Sequence, residues 1–428
     1  MEHADAFHLV RRTSFVVQHD LVDRLTQLSR SQAVEVLLDF RANPGPVVPS
    51  SVGDTGRAGW DRTRVLNRWW LDRMGTVPRP LQEHLALFWH SHFAVSAHQV
   101  PDTNHLAEYL QLLRAGGAGS FASLVRRVST SPAMLLYLDN HRNVVGAPNE
   151  NFARELLELH TLSPGNYTER DVVETARAWT GHRLSGSPAR YSFRTSDHDH
   201  GTKTIFGISR NWDGPALIDE IVRGARRVAS ARFIARKLWS YFAYPDPSDA
   251  LVDELTVPYL AAGADIGALL RAILNHDEFY SAQARFGMVR GPVHWAVACA
   301  GEVAVSLSDV RPEQHLRQMG QLPFYPAGPD GWGVNGDWLS PVFTLARGEY
   351  AVRVATAAWG EEVLRSLVDA SPSATVDRLE DELALPRLGS VSRAALETHV
   401  RSVRNQRPSD QLSSTVAIAL LTPEMQLA

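Results

Sequence analysis

The sequence predicts a mainly α fold: a single large multi-helix domain over residues 1–428, with long loops and minor β elements. Three observations predict it. Apolar residues recur at helical spacing, as in Val22, Leu25 and Leu28, or Phe233-Ile234-Ala235-Arg236-Lys237-Leu238-Trp239. Sustained β alternation is missing. No internal repeat, heptad array or low-complexity tract divides the chain.

Taken in order, the first helical patterns contain Val22-Leu25-Leu28 and Ala33-Val34-Leu37-Leu38, with Ser29 or Ser31 as cap of the second. Residues 43–57 are rich in proline and glycine and read as a loop. A helix over about 61–74 carries Trp69-Trp70, Pro78 and Pro80 break the chain, and the next helix starts near Leu81. Helices follow near 102–114 and 119–129, then a short apolar one beginning at Ser131-Pro132 and ending at Asn140. Gly146-Ala147-Pro148 is a turn, 149–160 a strong helix, and Pro164-Gly165-Asn166 its end. Thr168 caps the next helix, with Asp171 three residues on in the capping-box role.

Residues 183–214 differ, with β-prone pieces such as Tyr191-Ser192-Phe193 and Thr204-Ile205-Phe206 in a polar stretch. They read as a long functional loop or small β element. Helical patterns return over 216–285, a second aromatic loop covers 322–341, and helices resume over about 343–367 and 393–404.

Bulk numbers exclude several functions. Net charge is −4, so there is no electrostatic footprint for nucleic acid or an anionic membrane. The single cysteine, Cys299, sits in Ala296-Val297-Ala298-Cys299-Ala300 and reads as an inert buried thiol. One cysteine builds no internal disulfide, cysteine zinc site or iron–sulfur cluster within a monomer. No apolar run reaches transmembrane length. Arg11-Arg12-Thr13-Ser14-Phe15 is similar to the start of a twin-arginine signal, but polar Gln18-His19-Asp20 follows, so a cytoplasmic location is expected. P-loop, zincin, nucleophile-elbow and dinucleotide signatures are missing, which argues against kinases, α/β-hydrolases and Rossmann dehydrogenases.

Four stretches carry chemistry. In Phe88-Trp89-His90-Ser91-His92-Phe93, two imidazoles sit among large aromatics. Glu83 and His90, seven apart, share a helical face. His92 lies about 200° from His90, so both reach one site only if the helix ends or loosens there. On the 149–160 helix, Asn151, Glu155 and Glu158 form one polar stripe beside buried leucines, and buried carboxylates need a partner or a metal. Pairing with Arg154 or Arg177 is the bland alternative. His160 lies off that stripe and joins it only if the helix unwinds near Pro164. Asp197-His198-Asp199-His200-Gly201-Thr202-Lys203 suits a metal, an anionic substrate or a solvated loop. Gly331-Trp332-Gly333-Val334-Asn335-Gly336-Asp337-Trp338 offers close backbone approach and flat apolar walls.

Several motifs, in order, carry a family resemblance. They include His8-Leu9-Val10-Arg11-Arg12-Thr13-Ser14-Phe15, Glu83 with Leu87-Phe88-Trp89-His90-Ser91-His92-Phe93, and Pro132-Ala133-Met134-Leu135-Leu136-Tyr137-Leu138-Asp139. Pro148-Asn149-Glu150-Asn151-Phe152-Ala153-Arg154-Glu155-Leu156-Leu157-Glu158-Leu159-His160-Thr161-Leu162 and Ala178-Trp179-Thr180-Gly181 continue them, up to Leu420-Leu421-Thr422-Pro423-Glu424-Met425. From near residue 7 to the C-terminus the chain resembles the bacterial domain-of-unknown-function 1800 family. The resemblance implies one largely helical unit and little about activity. It also implies shared polar residues at Glu83, His90, His92, Asn151, Glu155, Glu158, His198 and Lys203. Ser163 stands where a glycine is usual, and His182 where a tryptophan is usual. Family members often look exported, and this chain shows no export signal.

The resulting expectation is a metal-dependent enzyme acting on a small organic substrate, with no nucleic-acid or membrane partner. His90, His92 and Glu155 are the expected core ligands, with Glu158, His160 or His198 completing the shell. Glu83, Glu158 and Lys203 are the expected catalytic groups. Trp89, Arg154, Trp332 and Trp338 are the expected substrate contacts. Mixed imidazole and carboxylate ligands suit iron, zinc or manganese. Iron, the favoured metal, points to an oxidoreductase that tailors a metabolite with dioxygen, and zinc to a hydrolase. The alternatives are a haem enzyme and a non-catalytic structural or partner-binding protein with a buried Glu/His/Arg network.

Overall fold

Short polar caps and prolines set where the helices begin. Ser29 and Gln32 form a capping box ahead of the Arg30–Leu38 helix. Thr168 and Asp171 form another ahead of Glu169–Ala178. Each satisfies two of the N–H groups that a helix start leaves unpaired. Proline occupies the first turn of Pro132–Tyr137, Pro292–Glu302, Pro341–Ala357 and Pro408–Leu420, where its missing N–H costs nothing.

The computed structural model describes residues 1–43, 45, 47–54, 56, 58–368, 370–385 and 388–428. It is a mainly α assembly whose buried apolar residues, from Ala6 to Met425, form one contiguous core. The helices over Gly59–Thr76, Leu81–His92, Arg227–Phe242 and Pro292–Glu302 supply four of its fully buried tryptophans, Trp70, Trp89, Trp239 and Trp295. Cys299 is buried on the last of these helices, and burial pushes its thiol well above the ordinary range. No helix among the described residues is long and apolar enough to cross a membrane.

The 183–214 stretch contains β elements, as expected. His182–Ser185 pairs antiparallel with Arg190–Phe193, and Lys203–Ile205 with Ile208–Arg210. The two hairpins form two separate sheets. Within 43–57, Ser50–Val52 forms a 3-10 turn, and residues 44, 46, 55 and 57 lie outside the described residues.

The 149–160 helix departs from the expectation. Regular α geometry covers Glu150–Glu155, and a π-helical turn covers Leu156–Thr161. The Leu162 N–H reaches the Leu157 carbonyl at 3.0 Å, an i to i+5 bond. Ser163 then takes φ +74°, the left-handed region that favours glycine. That is a physical reason for the glycine usual at this position. The Asn166 side chain stabilises the turn by donating to the Leu162 carbonyl at 3.1 Å. His182 packs its ring on Trp179, centroids 4.5 Å apart, so an aromatic ring still fills the tryptophan position.

Candidate functional site

The Leu81–His92 helix runs unbroken through both histidines of the opening motif. Two residues apart on a helix means opposite directions, so the structure does not bring His90 and His92 to one site. The helix instead has two working faces.

One face carries Glu83 and His90. Glu83 is fully buried and fully engaged. Its carboxylate accepts from Arg114 at 2.6 and 2.8 Å, from Trp70 Nε1 at 3.0 Å and from Arg73 at 3.3 Å. His90 Nε2 accepts the Phe324 N–H at 2.9 Å, so its proton must sit on Nδ1. The ring packs between Phe324 (4.7 Å), Trp332 (5.1 Å) and Trp70 (5.5 Å). Burial in that apolar cage pushes its pKa down to about 3, so it is a neutral acceptor that fastens the 322–341 loop to the helix. Gly331 completes the joint. Its φ is +85°, and a Cβ there would lie 2.3 Å from the Ser91 carbonyl oxygen.

The other face carries His84, Leu87, Phe88, Ser91 and His92, at spacings i, i+3, i+4, i+7 and i+8, and lines a cavity of about 350 Å³. Trp332 and Trp338 form another part of the wall, as their aromatic loop predicted. His92 Nε2 lies 3.0 Å from the His160 carbonyl, which can only accept, so Nε2 carries the proton. Nδ1 is therefore a bare acceptor, and Lys237 Nζ donates to it at 3.2 Å. The same ammonium faces the Leu159 carbonyl at 3.4 Å and the Phe233 ring at 5.0 Å. Burial lowers the Lys237 pKa to about 8, and Asp330 across the cavity partly offsets the shift. The π-helical turn presents both carbonyls, the kind of local distortion that gathers at functional sites. It also brings the His160 ring within 6.1 Å of His92, centre to centre.

Arg12, Arg290, His84 and His294 wall the same cavity. The His84 and His294 rings meet edge to face at 5.0 Å, with Phe15 against both at 4.7 and 5.5 Å. Burial, then Arg12 and Arg290, pushes His84 down to about 3. Burial, then Arg290 and its neighbours, holds His294 well below its usual value.

The remaining expected residues lie elsewhere. Glu155 is half-buried, and its pKa is raised by burial first and by Glu158 next. Glu158 accepts from the Tyr167 hydroxyl at 2.8 Å. Arg154 sits at the surface on Glu169 (2.8 Å) and Glu150 (3.4 Å), not against a substrate cavity. Trp89 is a core residue whose indole donates to the Gly117 carbonyl at 2.9 Å. His198 Nδ1 bonds the Thr180 carbonyl at 2.9 Å. Lys203 ties down the hairpin region through Gly201 (3.1 Å) and Asn211 (3.0 Å).

The five expected metal ligands therefore do not converge. His90 Nε2 and both nitrogens of His92 already hold other groups, and His90 Nδ1 is buried without a partner. Among the described residues, no group of three or more His, Cys, Asp or Glu side chains is arranged to hold a metal ion. The arrangement does not fit a His90–His92–Glu155 centre.

Sequence reading missed Lys237, Arg12, Arg290, His84 and His294. Their signal was available in part. His84, Phe88 and His92 form an i, i+4, i+8 stripe, and Lys237 adjoins the buried positions Ile234 and Leu238 of the helix Arg227–Phe242. A larger depression of about 560 Å³ near Phe40 is lined by solvent-facing ion pairs such as Arg271–Glu35 and Arg41–Asp39, so it is not a dry site.

Comparison with known families matches residues 8–427 to "Protein of unknown function (DUF1800)". The match spans nearly the whole chain, and the protein belongs to that family. No curated protein and no solved structure matches it significantly.

Proposed function

We propose that this DUF1800 member is an enzyme that moves a proton on a small organic substrate held in the 350 Å³ cavity, with Lys237 as the acid–base group. One observation carries the reading: Lys237 faces the cavity with its ammonium on His92 Nδ1 and a pKa of about 8. A lysine in that range has a sizeable neutral fraction near pH 7, which an ordinary surface lysine lacks. A perturbed titratable group in a mostly apolar cleft is a physical signature of a reacting site.

The surroundings support the role. His92 accepts from the amine and is itself locked by the His160 carbonyl, so the nitrogen lone pair keeps one orientation. Phe88, Tyr241, Trp332 and Trp338 exclude water from an apolar substrate body. The expected small-molecule substrate is kept, and the chemistry moves from a metal to an amine. A metal-dependent oxidation would need a ligand set other than the one first expected.

Two measurements test the reading. Acetic anhydride labelling of Lys237 as a function of pH, followed by mass spectrometry, should titrate near pH 8, and a midpoint near the ordinary lysine value of about 10.4 would refute it. Incubation of the protein with a low-molecular-weight cell extract in heavy water should place deuterium in a metabolite. The incorporation should vanish in Lys237→Met.

A further inference from the structure

We infer that the wall formed by Arg12, Arg290, His84 and His294 is an anion subsite, and that it takes a phosphoryl group carried by an organic substrate. The inference rests on reading the cavity as a small-molecule site, but not on the chemistry of Lys237.

Charge balance comes first. The cavity is lined by four cationic side chains, Arg12, Arg236, Lys237 and Arg290, and one carboxylate side chain, Asp330. Arg236 is paired outside the cavity with Asp249 at 2.5 Å, and Asp330 faces Lys237. Two guanidiniums remain. Both are almost wholly buried, Arg12 at 3% and Arg290 at 2% exposure. Neither forms an ion pair with a carboxylate among the described residues. Arg12 is held by the Ala243 carbonyl and, at 2.9 Å, the Ala284 carbonyl. Arg290 reaches the Met425 carbonyl at 3.4 Å. Glu302, its pKa raised to about 7 by burial, acts on Arg290 from a distance without an ion pair, and its Oε1 accepts the Val17 N–H at 2.9 Å.

Unused donors come second. The buried Nε atoms of Arg12 and Arg290 have no hydrogen-bond partner, and neither do both ring nitrogens of His84 and Nε2 of His294. A buried charge without a partner is strongly unfavourable, and a buried donor without an acceptor adds to that. Here two such charges and two such imidazoles lie around one cavity. An oxyanion can accept from both guanidiniums and from the one N–H that each neutral imidazole carries. Guanidinium forks match the oxygens of a phosphoryl group. The aromatic walls at Phe88, Tyr241 and Trp332 would take the organic body.

Isothermal titration of the full chain with phenyl phosphate, inorganic phosphate and benzoate tests the subsite. Phenyl phosphate should bind one equivalent, at least about tenfold more tightly than benzoate. Arg12→Gln and Arg290→Gln should each weaken it by at least about tenfold. Calorimetry of the arginine variants reads this inference and the pH titration of Lys237 labelling reads the proton-transfer reading, so either can fail without the other. Should the arginine variants fail to fold, phenylglyoxal modification of the wild type serves instead, with phenyl phosphate expected to protect Arg12 and Arg290 in peptide mass spectra. No binding by any of the three probes, equal affinity for benzoate, or labelling of both arginines unchanged by phenyl phosphate overturns the inference.

Discussion

The two faces of the Leu81–His92 helix hold the same residue types and do opposite things with them. On the Glu83 face, a buried carboxylate meets the two guanidiniums of Arg114 and Arg73, and His90 gives its lone pair to the Phe324 N–H. On the His84 face, two buried guanidiniums meet no carboxylate, and His84 holds nothing with either nitrogen. Burial alone therefore does not mark a functional charge. His90 Nδ1 is itself buried without a partner, so what separates the faces is whether the protein supplies a countercharge. A network closed by its own side chains holds the fold together, and one left open beside a cavity is where a ligand can complete it.

The largest expected effect lies on the closed face. Glu83→Gln removes the charge that Arg114 and Arg73 share and leaves both guanidiniums buried without it. Breaking a buried pair from one side costs about 3–5 kcal/mol, so urea unfolding should show a loss of that size. A loss under about 1 kcal/mol would erase the distinction between the faces.

Next comes His90→Phe, which keeps an aromatic ring but removes the acceptor of the Phe324 N–H. An orphaned buried donor costs about 1–3 kcal/mol, and the loop carrying Trp332 should loosen with it. Thermal unfolding gives the stability. Faster amide exchange confined to residues 322–341 would show that His90 acts as a fastener and not as a ligand.

The helical body was legible in the sequence because it rests on local signals. Helical spacing, Ser29, Thr168 and the proline breaks are read residue by residue, and each appears where expected. The aromatic loop was legible too, since Trp332 and Trp338 do line the cavity. The site's charges were not. Arg12 and Arg290 are 278 positions apart, and their meeting depends on tertiary packing that no local pattern encodes. The expectation joined His90 and His92, which the unbroken helix points in opposite directions. Glu83 and His90 form as good a stripe as His84 and His92, and helical spacing cannot say which stripe meets a cavity and which meets Arg114.

A smaller effect tests the π-helical turn that presents the His160 carbonyl to His92. Ser163 follows it at φ +74°, where a Cβ costs about 1–2 kcal/mol. Ser163→Gly should relieve this and raise stability by about 1 kcal/mol, less the extra chain entropy of glycine. Unchanged or lower stability in urea unfolding would show that the Asn166 bond to the Ser163 hydroxyl (3.3 Å) outweighs the backbone strain.

The smallest effect is the sharpest test of the contrast. His84 is buried among Phe15, Tyr241, Phe242 and His294, and its ring nitrogens have no partners. Replacing it with leucine removes two unsatisfied polar atoms and keeps apolar contact, so stability at pH 7 should move by less than about 0.5 kcal/mol. The same change has a visible consequence in acid. The folded pKa of His84 is lowered to about 3 from 6.5, so between those values the unfolded chain binds a proton that the folded chain refuses. Stability is therefore full above pH 6.5 and falls as pH drops toward 3. One such proton contributes a slope of about 1.4 kcal/mol per pH unit, and His84→Leu should remove that much from the acid limb of the stability curve. A protein no less stable at pH 7, less acid-sensitive and weaker for phenyl phosphate would show that His84 serves a ligand and not the fold. A loss of several kcal/mol at pH 7 would place His84 with Glu83, on a face closed by the protein itself.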